Sequence, residues 1–273
     1  MLTLDVAIST YRPEGIERVV KMLRPLEPKK GVRYVVSWQE HGDAPLPTYL
    51  ADRGDVEVWR TDLKGLSNNR NNSIEHCRGD IVLIADDDLE YYPDFAEKII
   101  SAFEEKPLLD LGIFKVEFHN PKKYPEETCR LSLPFPKGYY CSSVEITFRR
   151  ERLNVLSFSP EMGLGAPVLQ SGEDELFLIS AIKRGYDCEF FPIAIATHPS
   201  ESTGDKISPG TLRAQGFIMA MIYPLTSFLR IPLKAYRVSK TTNAPFFKST
   251  YQLLKGLATY HKTWKTIPKQ YRW

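Results

Sequence analysis

Residues 81–85 read IVLIA, an unbroken apolar run, and they lead straight into Asp86, Asp87 and Asp88. A strand with one wet face alternates apolar and polar residues, whereas a continuous run belongs to a strand covered on both faces, as in the parallel sheet of an α/β protein. Ligands of such sheets bind beyond the carboxyl ends of the strands. The run therefore constrains the fold and marks a place on it: three like charges stand where a substrate would lie.

The segments around it obey the same architecture. LTLDVAIST reads as an opening strand, and PEGIERVVKML as an amphipathic helix with Ile16, Val19, Val20 and Leu23 on one stripe. VRYVVSW and VEVWR are further strands. SNNRNNSIEHCRG is a helix opened by Ser67 and stopped by Gly79, and PDFAEKIISAF is a helix with Pro93 suited to its first position. This alternation predicts an α/β fold with a mainly parallel sheet and helices on both faces. LGIFKVEFHN and VEITFRR add strands on either side of a Pro-, Lys- and Glu-rich excursion at 119–140. SFSPEMGLGAPVLQSG is a loop, EDELFLISAIKRG a helix and YDCEFFPIAIATH a last strand.

At 273 residues and 42% apolar, the chain can bury a full core with an appendage to spare. Composition changes near residue 205, which predicts a catalytic domain over 1–205 and a basic, aromatic, helical region over 206–273. Of the 36 Lys and Arg residues, 12 fall in 206–273, and none of the 34 Asp and Glu do; the remainder carries 24 basic and 34 acidic residues. Within this region FIMAMIYPLTSFL (217–229) is shorter than the roughly 20 apolar residues a membrane span needs and is interrupted by Pro224. The following Lys and Arg recur among Phe, Tyr, Trp and Leu. This pattern predicts a helix lying on an anionic membrane surface, with packing against the acidic remainder as the alternative. No nucleic-acid recognition motif is present, so no nucleic acid partner is expected. Cys77, Cys129, Cys141 and Cys188 form neither a zinc pattern nor a disulfide framework and fit a reducing cytosol. The opening MLTLDVAIST has no basic start and reads as a strand rather than a secretory signal. Localisation in the cytoplasm, at the inner face of the cell membrane, is expected.

Three adjacent carboxylates at the end of a buried strand repel one another, and desolvation raises the cost, so they need a counter-ion. Asp86 and Asp88 are two positions apart, and in an extended segment their side chains point the same way and can converge on one cation. Oxygen ligation suits Mg²⁺ or Mn²⁺ completed by substrate phosphates. A solvated turn or helix cap is the other reading. A calcium loop starting at Asp86 would need glycine where Tyr91 stands. In SGEDE (171–175), Ser171 and Asp174 fit a capping box, and the three acids complement a helix N-terminus. His198 follows the last strand; a lone histidine there serves as a surface or hydrogen-bonded residue as readily as a ligand.

KGLSNNRNNSIEHCRGDIVLIADDDLEYYPD (64–94) resembles the core of family 2 glycosyltransferases of the GT-A fold: a glycine, an Arg-Asn pair, a helix, Gly-Asp, a hydrophobic strand and a DxD motif. IST (8–10) and SGEDELFLISAIKRGYD (171–187) fall in the family's order, so the likeness extends over residues 3–205. It implies an inverting, metal-dependent transfer from a nucleotide-diphosphate sugar, a UDP-sugar foremost, to a hydroxyl of a glycan or lipid-linked glycan in cell-surface polysaccharide or glycolipid synthesis, with Mn²⁺ or Mg²⁺ as cofactor. By position, the resemblance implies that Asp88 binds the metal, that Asp86 lies near the donor ribose or metal with Asp87 beside it, and that Arg70 sits next to the base. Thr10 and Tyr11 would form the base platform. Where the family has DDGS this chain has SWQEHGD (37–43), which leaves Glu40 or Asp43 to read the base. Asp174 would be the acceptor-side base with Glu173 assisting, and His198 a third metal ligand. Two rival readings stand beside this one. A sugar-phosphate nucleotidyltransferase would want a Gly-rich phosphate loop where STYRPEG offers one glycine. A non-catalytic polysaccharide- or lipid-binding domain would not need Asp86, Asp88, Arg70 and Asp174 together.

Overall fold

The computed structural model describes residues 1–136, 139–198 and 207–264. The run IVLIA lies within β4 (Ile81–Asp86) and is buried throughout. Its side chains alternate between two cores: Ile81, Leu83 and Ala85 join one apolar cluster, Val82 and Ile84 the other. The first core is roofed by α1 (Arg12–Leu23) and α4 (Phe95–Glu105), the second by α3 (Leu66–Glu75) and α5 (Glu173–Lys183), so helices cover both faces as expected.

Strands β1 (Leu4–Tyr11), β2 (Val32–Gln39), β3 (Val56–Thr61) and β4 run parallel in the order β3-β2-β1-β4; a short α2 (Thr48–Ala51) lies between β2 and β3. The chain builds outward from β1 to β3 and then returns to the other side of β1. This reversal opens a crevice at the carboxyl ends of β1 and β4, the place where doubly wound sheets receive ligands. Ser9 pairs in register with Asp86, so Thr10 and Tyr11 leave β1 beside the aspartate cluster. Beyond β4 the sheet is mixed. β8 (Ile146–Arg149) is antiparallel to both β4 and β6 (Leu111–Phe118), and β9 (Cys188–His198) is parallel to β6. The short β5 (Glu90–Tyr91) and β7 (Cys129–Arg130) pair antiparallel with β9.

Among its described residues the C-terminal region forms three helices, α6 (Pro209–Ile222), α7 (Ser227–Thr241) and α8 (Phe246–Thr263). α6 packs on α5 through Ala214, Phe217, Ile218 and Met221 against Leu176 and Ile179, with Met162 and Leu169 of the preceding loop. α7 and α8 form an outer layer, closed by Leu212, Ile231, Ala235, Val238 and Leu253. A Cβ on Gly216 would collide with the carbonyl of Leu253, and one on Gly256 with the carbonyl of Arg213, so α6 and α8 cross backbone to backbone. Among the described residues no helix is long and apolar enough to cross a membrane.

Helix α3 starts differently from its sequence pattern. α3 begins at Leu66 after Gly65, with no side-chain cap. The Ser67 hydroxyl instead donates to the Met162 carbonyl at 2.8 Å and ties the helix to the 159–172 loop.

At the opposite end of the sheet from the crevice, Asp5 of β1 is 1% exposed. It accepts from Arg33 Nε and Nη2 at 3.0 and 2.6 Å and from the backbone N–H groups of Arg78 and Gly79 at 2.6 and 2.8 Å. Without the Asp5 carboxylate Arg33 keeps Glu57 at 2.7 Å, but the backbone N–H groups of Arg78 and Gly79 lose their acceptor, at about 1–3 kcal/mol. Asp5→Ala is expected to lower stability by that amount in urea denaturation; a change below about 1 kcal/mol would mean that water replaces the carboxylate freely.

Candidate active site

The crevice is organised around Arg70, which projects from α3 and is 2% exposed. Its Nη1 donates to Glu173 Oε1 at 3.0 Å and to Asp174 Oδ1 at 2.9 Å, and its Nη2 to Asp86 Oδ1 at 3.3 Å. The guanidinium lies 5.3 Å from the centroid of the Phe158 ring. Burial works against the charge, yet the surrounding carboxylates hold the Arg70 pKa above its ordinary value. The planar five-donor fork of arginine lets one side chain join the end of β4 to the start of α5. Both terminal nitrogens of Arg70, the residue expected beside the base from the resemblance, are engaged by carboxylates inside the protein.

The three aspartates do not converge. β4 ends at Asp86 and the chain turns at Asp87 and Asp88, so the two-residue alternation that would aim Asp86 and Asp88 together stops one residue too early. Asp86 faces Arg70. Asp87 is buried and receives Arg18 Nε and Nη2 at 2.9 and 3.0 Å and the Thr10 hydroxyl at 2.5 Å. Burial pushes the Asp87 carboxyl upward, with Arg18 and Thr10 opposing. Asp87 and the Thr10 hydroxyl, both expected on the donor, tie β4 to β1 and α1. Asp88 Oδ1 lies 3.5 Å from His198 Nε2, and Phe118 stacks on that imidazole.

Among the described residues no group of three His, Cys, Asp or Glu side chains could hold a metal ion. The donors that stand together are Asp88, whose side chain is 33% exposed, and His198. Such a pair does not make an all-protein cage. It fits a cation that takes one or two protein ligands and completes its shell from substrate phosphates and water.

At the mouth of the crevice Tyr11 is 48% exposed, with the Arg12 guanidinium 5.1 Å from its ring centroid. Arg12 Nε reaches Glu40 Oε2 at 3.4 Å. Arg12 (φ 64°) and Glu40 (φ 49°) both adopt the left-handed region, a strained conformation that clusters at functional sites. The structure thus brings Tyr11 and Glu40 together and adds Arg12 and Arg18, which sequence reasoning missed. The signal for Arg12 was its place directly after the first strand; Arg18 gave none, because only the fold brings it to Asp87.

Glu173, Asp174 and Glu175 fill the first turn of α5, where negative charge complements the helix dipole. Gly172 is the N-cap, at φ 85° with no side-chain cap, so the capping box expected from Ser171 and Asp174 is absent. Asp174 is released from structural capping and turned to Arg70. Burial first, then crowding by Glu173, Glu175 and Asp86, pushes its carboxyl well above the ordinary carboxylate range, against the pull of Arg70. Burial also pushes Glu175 up to about 7. Lys234 of α7, itself lowered by burial, contributes an opposing charge. The 159–172 loop closes this side. Gly163 (φ 97°) comes so near that a Cβ there would sit 2.9 Å from the Glu173 carboxyl carbon, and the Leu164 carbonyl accepts from Leu66 N–H at 3.0 Å.

A carboxyl whose folded pKa is raised costs the fold nothing at low pH, where it is protonated in both states, and costs most once it is ionised in both. Wild-type protein should therefore lose stability relative to Glu175→Gln as pH rises from about 4.5 through about 7. Melting temperatures of the two proteins are expected to coincide near pH 4 and to separate, the variant higher, above pH 7. An equal gap at every pH would refute the titration.

Residues 39–161 match the family model for glycosyl transferase family 2. No curated protein sequence matches the chain. Solved structures share its fold. The crystal structure of S. aureus TarS 1-349 in complex with UDP-GlcNAc is 18% identical, over 99% of this chain and 83% of that one, with a TM-score of 0.67. A further crystal structure of S. aureus TarS 1-349 is 16% identical, over 96% of this chain and 92% of that one, at 0.63. A longer S. aureus TarS structure is 16% identical over 96% of this chain and 55% of its own, also at 0.63. The segment that carries the family 2 glycosyl transferase model spans Arg70 and all three aspartates, and Asp174 lies C-terminal to it.

Proposed function

We propose that this chain is an inverting glycosyltransferase that moves a sugar from a nucleotide-diphosphate donor to a glycan hydroxyl. The observation that carries the reading is the Arg70 clamp. It holds Asp174, a carboxylate made more basic by burial and crowding, across the crevice from the end of β4. The glycosyl transferase family 2 match over 39–161 supports the reaction class, and a structural neighbour bound to UDP-GlcNAc supports a UDP-sugar as the donor.

Inversion needs the acceptor hydroxyl to attack the anomeric carbon from the face opposite the departing diphosphate, losing its proton as it does so. Asp174 takes that proton. Its side chain is 19% exposed, open enough for a hydroxyl to reach it, and a raised pKa brings a carboxylate nearer the working pH, where a general base is most effective. Arg70 fixes its direction, and Glu173 shares the same guanidinium nitrogen, so both acids stand at the acceptor side. Tyr11 presents an exposed ring for the donor base, with Glu40 and Arg12 beside it. Asp88 and His198 would hold Mn²⁺ or Mg²⁺, which when bound supplies positive charge to offset the leaving diphosphate. Asp86, pinned by Arg70, lines the donor side between them. Free thiols at all four cysteines fit a reducing, cytoplasmic setting. A glycan or lipid-linked glycan acceptor in surface-polysaccharide synthesis is the setting that fits best.

The experiment is UDP release from UDP-GlcNAc and related donors, with Mn²⁺ present, in wild type, Asp174→Asn and Asp88→Ala. General-base assistance is worth roughly 10²–10⁴ in rate, so Asp174→Asn should lose that factor in turnover while binding donor with affinity within about twofold of wild type. Asp88→Ala should instead weaken donor binding, and the weakening should disappear when the metal is omitted from both proteins. Near wild-type turnover in Asp174→Asn would move the base elsewhere, and unchanged donor affinity in Asp88→Ala would remove Asp88 from the donor site.

A further inference from the structure

The two outermost helices repeat one pattern. In α7 the buried residues are Ser227, Ile231, Ala235 and Val238, and halfway round the helix lie the exposed Leu229, Leu233, Tyr236 and Lys240. In α8 the buried residues are Ser249, Leu253 and Gly256, and halfway round lie the exposed Phe247, Tyr251, Leu254 and Ala258. Both outward stripes have the i, i+4, i+7, i+11 spacing of a single helix face. The basic residues flank each stripe on the same side: Arg230 and Arg237 in α7, Lys248 and Lys255 in α8, all exposed. Lys240 lies 5.6 Å from the ring centroid of Tyr236, and Lys255 4.6 Å from that of Tyr251. Leu225, at the turn before α7, is 85% exposed, and Phe247, at the start of α8, is 83% exposed.

We propose that the outward stripes of α7 and α8 dock this protein onto an anionic lipid bilayer surface. The occupant is argued from charge as well as apolarity. A protein partner would need an acidic, apolar surface matching two separate stripes. A bilayer rich in anionic headgroups offers acyl chains to Leu, Phe and Tyr and phosphates to Lys and Arg at every point. An apolar stripe with aromatic residues and a basic flank is the build of a helix lying in a membrane interface, where long basic side chains keep their charge in the headgroups. Residues 206–273 carry 12 basic residues and no acidic one, so no charge in this region opposes such a surface. The docking stands independently of the sugar-transfer reading, because none of these residues lines the crevice.

The test is sedimentation of the full chain with vesicles of phosphatidylcholine alone and of phosphatidylcholine with phosphatidylglycerol, at low and high salt, alongside sedimentation velocity without lipid. Two variants are compared: Arg237→Glu/Lys248→Glu/Lys255→Glu, and Leu233→Ser/Phe247→Ser/Leu254→Ser. Circular dichroism and melting temperature check that each is folded. All six positions are exposed, so both should fold. Wild type is expected to bind only the anionic vesicles and to be released by high salt. The charge variant should lose at least tenfold in partitioning, on the order of a hundredfold if each cation acts fully, and the stripe variant should lose binding even at low salt. Wild type that stays in the supernatant with both vesicles would overturn the proposal. So would binding that neither variant changes, or lipid-free self-association abolished by the stripe variant, which would make a second copy the occupant.

Discussion

A buried guanidinium has to be met by carboxylates wherever the chain can bring them, and in this protein that demand joins three distant parts of the fold. Leaving Arg70 unpaired inside the protein would cost several kcal/mol, so α3, the end of β4 and the first turn of α5 are held to one geometry. The strand order β3-β2-β1-β4 supplies the crevice. The arginine determines which side chains face one another across it.

The balance of charge around that clamp explains the chemistry the crevice is suited to. Asp86, Asp87, Asp88, Glu173, Asp174 and Glu175 bring six carboxylates to the strand and helix ends, where Arg18 pairs with Asp87 and Arg70 with Asp86, Glu173 and Asp174. Burial and mutual repulsion push the carboxyls of Asp174 and Glu175 upward. Asp87, the middle of the three aspartates, is held by Arg18 and Thr10 where the backbone turns after β4.

Much of the scaffold was legible because its signals are local. The continuous run 81–85 has one comfortable environment, and the stripe Ile16, Val19, Val20 and Leu23 buries as its spacing requires. The basic C-terminal segment reads as helical, and its described part is helical over α6, α7 and α8. What was not legible depends on distant contacts. Nothing near Arg70 announces that Asp174, 104 positions away, will take its guanidinium. The loss of the Ser171 cap depends on Gly172 adopting a left-handed conformation beside a loop packed against Glu173. The insertion of β8 between β4 and β6, against the direction of both, belongs to sheet order, which hydrophobic period does not encode.

The crossing of α6 and α8 at Gly216 and Gly256 bears on how the whole molecule behaves as a mechanical object. Two helices in backbone contact have no side-chain cushion between them, and α6 is in turn seated on α5, the helix that begins with Glu173 and Asp174. The outer layer is therefore joined to the carboxylate cluster by rigid rods rather than by a tether. The spacing between the outer face of α8 and the Asp174 carboxyl is set by that crossing, and a single methyl group at either glycine would change it.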